Sequence, residues 1–301
     1  MNPILLIIFL VAGFLAVGAA EEELVNTPEG RIFTYKRDGD IPREIEVFFP
    51  TDHDPSTAAV PGIIMFHGGG WGGGDRKQFR YLCHYFSTRG LVAATVTYQL
   101  ATKASSEEAK GPGSRKRVCI TGAKSAIRWY KEKANELGID SERVIAGGGS
   151  AGGHISLLAT TNPGLNDPRD PEQYDTTVAA YLLFNPALSA GDAKDSEVDF
   201  LQHLSADLSP AIVFFGSEDK WFKNGWQAAN ARISSLSIDE SVELWIAEDQ
   251  GHGFFNHQPW ADITLLEADR FLRDLGYLEG DPALALPETG ERLREATSGA
   301  D

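Results

Sequence analysis

Short apolar runs constrain the fold of this chain more than any other feature. Ile63-Ile64-Met65-Phe66 and Leu91 to Val96 show almost no polar alternation. A strand with one face in water alternates apolar and polar residues. A strand without alternation is buried on both faces, as in a parallel sheet covered by helices. Val178 to Phe184, Ala211 to Phe215 and Val242 to Ile246 predict further strands, and Arg143 to Gly147 one more. Helical runs lie between them. Ala123, Ile127, Tyr130, Ala134 and Leu137 recur at helical spacing, with Gly138 at the stop. Phe79 to Thr88, Trp226 to Leu236 and Ile263 to Leu275 read the same way. Strand and helix alternate throughout, which predicts one α/β domain with a mainly parallel sheet. The beginning differs: Arg31 to Tyr35 and Glu44 to Phe49, joined at Asp38-Gly39-Asp40, have the period-two pattern of a half-exposed antiparallel pair.

The flanks read differently from the domain. Ile4 to Val17 is almost wholly apolar, followed by Gly18-Ala19-Ala20 and then Glu21-Glu22-Glu23. This is the pattern of a secretory signal cleaved near Ala19 or Ala20, although no Lys or Arg precedes it. The run is too short for a comfortable membrane span. The expected organisation is therefore a leader at 1–20, a domain at 21–278 and a flexible, Gly-, Pro- and charge-rich tail at 279–301, in a secreted or periplasmic protein. The net charge of −16 argues against nucleic acid and anionic membranes as partners, since both need basic patches. No feature of the sequence sets an oligomeric state. Two cysteines, Cys83 and Cys119, permit one disulfide in an exported protein, and spacing leaves bridge and free thiols equally open. The seven histidines and two cysteines show no metal-ligand spacing, so no metal is expected.

Chemistry concentrates in three loops. Gly148-Gly149-Ser150-Ala151-Gly152 stands between a predicted strand and the small-residue helical run Ala151 to Thr161. In that context a serine sits on a sharp turn with its hydroxyl exposed, and the flanking glycines remove side chains that would collide. A serine hydroxyl is a weak nucleophile and needs a base, which in turn needs an orienting group. Gly251-His252-Gly253-Phe254 follows the strand Val242 to Ile246 and offers His252; His154 and His257 compete less well, the first as a packing residue of the elbow helix, the second as a surface one. Gly216-Ser217-Glu218-Asp219 follows the strand Ala211 to Phe215, and either carboxylate there could orient the base. The order nucleophile, acid, base suits an α/β scaffold of this kind. His67-Gly68-Gly69-Gly70-Trp71 follows the strand ending at Phe66, and its glycines let backbone amides approach a substrate oxygen. The amides of Gly69, Gly70 and Ala151 are the expected oxyanion donors. A phosphate-binding reading of this loop fails, because no Lys-Ser/Thr follows it. Trp71, Trp221, Trp226 and Trp260 lie near these loops, as pocket walls or as core.

With these motifs in order, the chain resembles the α/β-hydrolase superfamily, and most of all the hormone-sensitive-lipase-like carboxylesterases and the bacterial feruloyl and acetyl esterases. Tyr98-Gln99-Leu100 and Ser125-Ala126-Ile127-Arg128-Trp129 add to the match, which runs from about Arg31 to Leu275. The resemblance implies the α/β-hydrolase fold with a small or absent cap, Asp219 as the triad acid with Ser150 and His252, and no metal or organic cofactor. It implies a substrate that is a small or polysaccharide-linked carboxylic ester. Gly122 departs from the family pattern, which often has Asp at that point. A prolyl-oligopeptidase-like peptidase is the alternative enzyme, but the chain has no room for that group's extra domain. A catalytically silent binding protein on the same scaffold is the alternative of another class, although such proteins usually lose a triad member.

Overall fold

A computed structural model describes residues 27–296 apart from 102, 104–106 and 108–112. The expected leader at 1–20 lies outside the described residues. A nine-stranded sheet runs through the domain in the order β1-β2-β4-β3-β5-β6-β7-β8-β9. β1 (Arg31–Asp38) and β2 (Ile41–Phe48) pair antiparallel, and β2 joins β4 (Val92–Val96) antiparallel. From there β3 (Val60–Phe66), β5 (Ile139–Gly149), β6 (Ala180–Phe184), β7 (Ala211–Gly216) and β8 (Val242–Ala247) are all parallel.

Buried residues on both faces explain the unbroken apolar runs. On one face Ile64, Phe66, Ala146 and Leu183 pack with α2 (Ser114–Glu132) and the elbow helix α4 (Ala151–Thr161), and Val213 and Phe215 with α6 (Gln227–Ser235). On the other, Ile63, Met65, Ile145, Leu182 and Phe214 pack with α1 (Arg80–Thr88) and α7 (Trp260–Asp274). The short turns α3 (Ala134–Leu137) and α5 (Phe200–His203) complete the helical set used below. Among the described residues no helix is long and apolar enough to cross a membrane.

Two expectations change and one open alternative closes. The helix predicted from Ala123 begins at Ser114 and breaks at Lys133 before α3. Its first turn, Ser114-Arg115-Lys116-Arg117, is polar because it ion-pairs with the 190s segment, and that polarity hides the helical start. The tail from Glu279 is not loose over its described length: β9 (Arg294–Glu295) pairs antiparallel with β8, and Leu284 and Leu293 pack on the core. Composition read as polar concealed two leucine anchors. Cys83 and Cys119 are free and buried on opposite sides of the sheet, so they cannot meet. Burial raises both thiols, Cys119 to about 12, which keeps them protonated and inert.

The sheet topology places the loops. The chain steps outward from β3 to β4, then returns to lay β5 on the other side of β3. Connections leave in opposite directions at this switch, opening a crevice at the strands' carboxyl ends. Phe66 is in register with Gly148, so the His67 and Ser150 loops emerge side by side. Gly216 is in register with Ala247, which does the same for the Asp219 and His252 loops.

The elbow itself depends on absent side chains. A Cβ on Gly152 would stand 1.9 Å from Phe66 O, and one on Gly148 would stand 2.3 Å from the same oxygen. Both are contacts with a backbone oxygen at the end of a central strand and cannot yield cheaply. Gly152→Ala should therefore cost at least about 3 kcal/mol, the upper end of overpacking penalties. Urea unfolding of the variant checks this; a loss under about 1 kcal/mol would contradict the close approach.

Candidate active site

Ser150 has φ 53° and ψ −116°, a conformation non-glycine residues rarely adopt and one that costs about 1–3 kcal/mol. Two neighbours hold it there: its amide donates to Phe184 O at 2.9 Å, and its carbonyl accepts from Ala187 N at 2.9 Å. Ser150 is also the N-cap of α4, yet its hydroxyl makes no capping bond. A serine at that position ordinarily bonds the helix's own amides. Here the backbone twist turns Oγ outward, free to meet another group.

That group is His252. Ser150 Oγ lies 2.8 Å from His252 Nε2, and His252 Nδ1 lies 2.8 Å from Asp219 Oδ2. A carboxylate can only accept, so Nδ1 carries the proton and Nε2 presents its lone pair to the serine hydroxyl. Asp219 is buried and its other oxygen accepts from the Trp221 amide at 2.9 Å. Glu218 points elsewhere, exposed and paired with Lys223 at 2.8 Å. Of the two carboxylates left open by spacing, the structure brings Asp219 to the histidine. His257 is exposed at the surface. His154 is buried, its Nε2 3.0 Å from Val198 O; its backbone amide donates to Ser150 O at 3.2 Å, but among the described residues its ring hydrogen-bonds neither Ser150 nor Asp219.

Sequence reasoning missed Asn185. Its Nδ2 donates to Asp219 Oδ2 at 2.5 Å, the oxygen that also faces His252. Asn185 sits just past β6 with φ 47°, and the signal available was an Asn-Pro pair at the end of a buried strand. Three donors, from Asn185, His252 and the Trp221 amide, fix the direction of the buried carboxylate.

The glycine loop turns back on itself beside Ser150. Gly69 has φ 120°, and a Cβ there would stand 2.3 Å from Gly73 O, so glycine is required at the bend. Among the described residues the amides of Gly69 and Gly70 donate to no protein acceptor. Ala151 opens α4, whose first amides have no intrahelical partner. These three are the residues expected as oxyanion donors. His67 is not at the reaction centre: it is buried, stacked on Tyr98 at 4.3 Å, with Nδ1 2.6 Å from Gly68 O. Tyr98 Oη donates to His67 O at 2.8 Å, so the ring and its partner brace the loop from behind. Burial lowers the His67 pKa and keeps it neutral.

Of the four tryptophans, Trp226 and Trp260 belong to the core. Trp71 and Trp221 meet edge to face at 6.3 Å, joining the glycine loop to the acid loop. Lys116 Nζ lies 4.1 Å from the centre of the Trp71 ring and pairs with Asp192. Arg117 binds Asp195 through two nitrogens, at 2.9 and 2.8 Å. These pairs pin the Pro186–Ser209 connection, with its short turns Ala190–Lys194 and Phe200–His203, to the start of α2. Gly122 has a physical role: a Cβ there would stand 2.8 Å from the Gln99 amide, so the glycine lets α2 press against the Tyr98-Gln99-Leu100 segment. Among the described residues no three His, Cys, Asp or Glu side chains cluster as a metal site would.

The fold and this serine–histidine–aspartate chain define an α/β-hydrolase. The BD-FAE family model matches residues 45–181. The apo form of Thermogutta terrifontis esterase 2 aligns with a TM-score of 0.73 at 30% identity, covering 85% of this chain and 98% of that one. The probable carboxylic ester hydrolase LipM of Mycobacterium tuberculosis is 29% identical over 222 residues, 62% of this chain and 48% of LipM. Carboxylesterase NlhH of the same organism is 34% identical over 101 residues, 33% of this chain and 28% of NlhH. The chain thus spans about half the length of the first of these curated relatives and less of the second. It belongs to the α/β-hydrolase serine esterases of the hormone-sensitive-lipase-like type.

His154 makes the domain sensitive to acid. Burial first, then the nearby Lys116 charge, pulls its pKa from 6.5 to about 3. Between those values the unfolded imidazole takes up a proton that the folded one refuses, so stability falls as pH drops through that window. His154→Gln removes this term. The stability difference between wild type and variant should change by about 1 kcal/mol per pH unit from pH 6.5 to 5, where most carboxylates remain ionised. Parallel stability curves for the two proteins would contradict this account of His154.

Proposed function

We propose that this chain hydrolyses carboxylic esters through an acyl-enzyme on Ser150. The observation that carries the reading is the unbroken relay Ser150 Oγ–His252 Nε2, His252 Nδ1–Asp219 Oδ2, with both links at 2.8 Å. In the proposed cycle His252 takes the Ser150 proton as Oγ attacks the ester carbonyl. The new oxyanion receives hydrogen bonds from Gly69, Gly70 and Ala151; in comparable enzymes the loss of one such donor costs about 3–4 kcal/mol. His252 passes its proton to the leaving alcohol, then takes one from water as that water attacks the acyl carbonyl, and returns it to Ser150 Oγ as the second intermediate collapses and the acid leaves. Asp219 holds the imidazole tautomer and stabilises the imidazolium that forms. Asn185 and the Trp221 amide keep Asp219 directed at the histidine.

We assign esters of short acyl chains, or carbohydrate-linked acetyl or feruloyl groups, as the substrate class. Among the described residues the connection pinned to the start of α2 contains two short turns, of five and four residues, which supports an open pocket. Thermogutta terrifontis esterase 2 has been solved with propionate and with butyrate bound, and both structures align with this chain at 29% identity. A cleaved leader would carry the protein out of the cytoplasm, where such polymers are met; N-terminal sequencing of exported protein tests this, and an intact Met1 would refute cleavage.

Nitrophenyl esters from acetate to palmitate, with acetylated xylan and methyl ferulate, test the substrate reading. The highest kcat/KM should fall between acetate and butyrate. Ser150→Ala should lower it by about 10⁴-fold or more. A maximum at long chains would overturn the substrate class, and an unchanged rate in the variant would overturn the mechanism.

A further inference from the structure

Gln78 lies in the turn Arg76–Phe79, outside every motif above, and its side-chain amide is engaged at both ends. Oε1 accepts from the Gly68 amide at 2.7 Å. Nε2 donates to Asn256 Oδ1 at 2.9 Å, across 178 residues of sequence. Asn256 continues the relay, since its Nδ2 donates to Gly253 O at 2.8 Å and its own amide donates to the same oxygen at 3.1 Å. The chain of bonds therefore runs from the residue before Gly69 to the residue after His252.

Besides this relay, the stacking of Phe79 on Phe255 at 6.1 Å and the Ser150–His252 bond tie the two sides together. The glycine loop follows β3 and the histidine loop follows β8, and three strands separate them in the sheet. No ladder hydrogen bond spans that gap. Packing there is also incomplete, because Gln78 and Asn256 line a cavity of about 360 Å³ with Phe79, Phe184, Phe255 and Leu265. The amide relay adds directed bonds to the aromatic packing of Phe79 and Phe255. The bond to Gln78 has a second effect. It commits the Gly68 amide to the protein, so the loop offers the next two amides, Gly69 and Gly70, to a substrate oxygen.

We propose that Gln78, acting through Asn256, is a positioning residue that holds the oxyanion loop and the histidine loop at the separation the tetrahedral intermediate requires. The proposal rests on the ester-hydrolase reading above. Its chemistry calls for one acceptor and one donor on the same short planar group. Glutamate would keep the acceptor for Gly68 but lose the donor for Asn256; methionine would keep the length and lose both.

The test compares the full-length wild type with Gln78→Met and Asn256→Ser. The measurements are kcat and KM on nitrophenyl acetate, the affinity of phenylboronic acid as a tetrahedral mimic, and Tm. Displacing a donor set by a fraction of an ångström to one ångström can cost up to about 100-fold in rate. Gln78→Met should lower kcat by about 10- to 100-fold, weaken the boronate by a similar factor, and leave KM within about 3-fold, as expected for loss of an interaction made in the transition state. Asn256→Ser, altered at an exposed position, should move the same two quantities in the same direction and serves if Gln78→Met does not fold. Wild-type kcat and boronate affinity in both variants would overturn the positioning role while leaving the esterase reading intact. A wild type that neither hydrolyses the ester nor reacts with a fluorophosphonate would overturn both.

Discussion

The site depends on one backbone contact, the approach of the elbow to the end of β3. Phe66 O comes so near Gly148 and Gly152 that neither position has room for a Cβ. That closeness lets the chain turn sharply between β5 and α4, and the turn forces Ser150 to φ 53°. The strained backbone takes the hydroxyl away from the helix amides it would otherwise cap and presents it to His252. The same register that brings Phe66 beside Gly148 brings the glycine loop beside the nucleophile. One parallel strand pair therefore places both the Ser150 loop and the glycine loop at the same end of the sheet.

The acid side is built by a second strand pair and a neighbour. β7 and β8 deliver Asp219 and His252, and β6, lying between β5 and β7, ends in Phe184 and Asn185. Phe184 O holds the Ser150 amide, while Asn185 holds Asp219. The strand without a triad residue thus fixes the two outer members of the triad at once. Burial of this carboxylate is tolerable because three donors reach its two oxygens.

The sheet was legible from sequence because burial on both faces writes itself as unbroken apolar runs, and the strands β3 to β8 fall where those runs lie. Helix starts were less legible. The polar turn Ser114 to Arg117 exists to pair with Asp192, Asp195 and Glu197, partners far along the chain that no local pattern reveals. Likewise Arg294–Glu295 joins the sheet edge through backbone bonds that composition does not encode. At the site, glycines announced Ser150, His252 and the Gly69-Gly70 loop, since close approach leaves a compositional mark. Asn185, Gln78 and Asn256 leave none: each is an ordinary amide whose role arises from a partner brought in by topology. Spacing also left Glu218 and Asp219 equal, and burial separates them, one solvated beside Lys223 and the other enclosed against His252.

The central claim is that His252 makes Ser150 a nucleophile. Covalent labelling tests it without reference to any particular ester. A fluorophosphonate should attach to Ser150, as located by peptide mass spectrometry, and His252→Gln should slow the labelling by about 10³-fold or more. Labelling at another residue, or an undiminished rate in the His252 variant, would contradict the account.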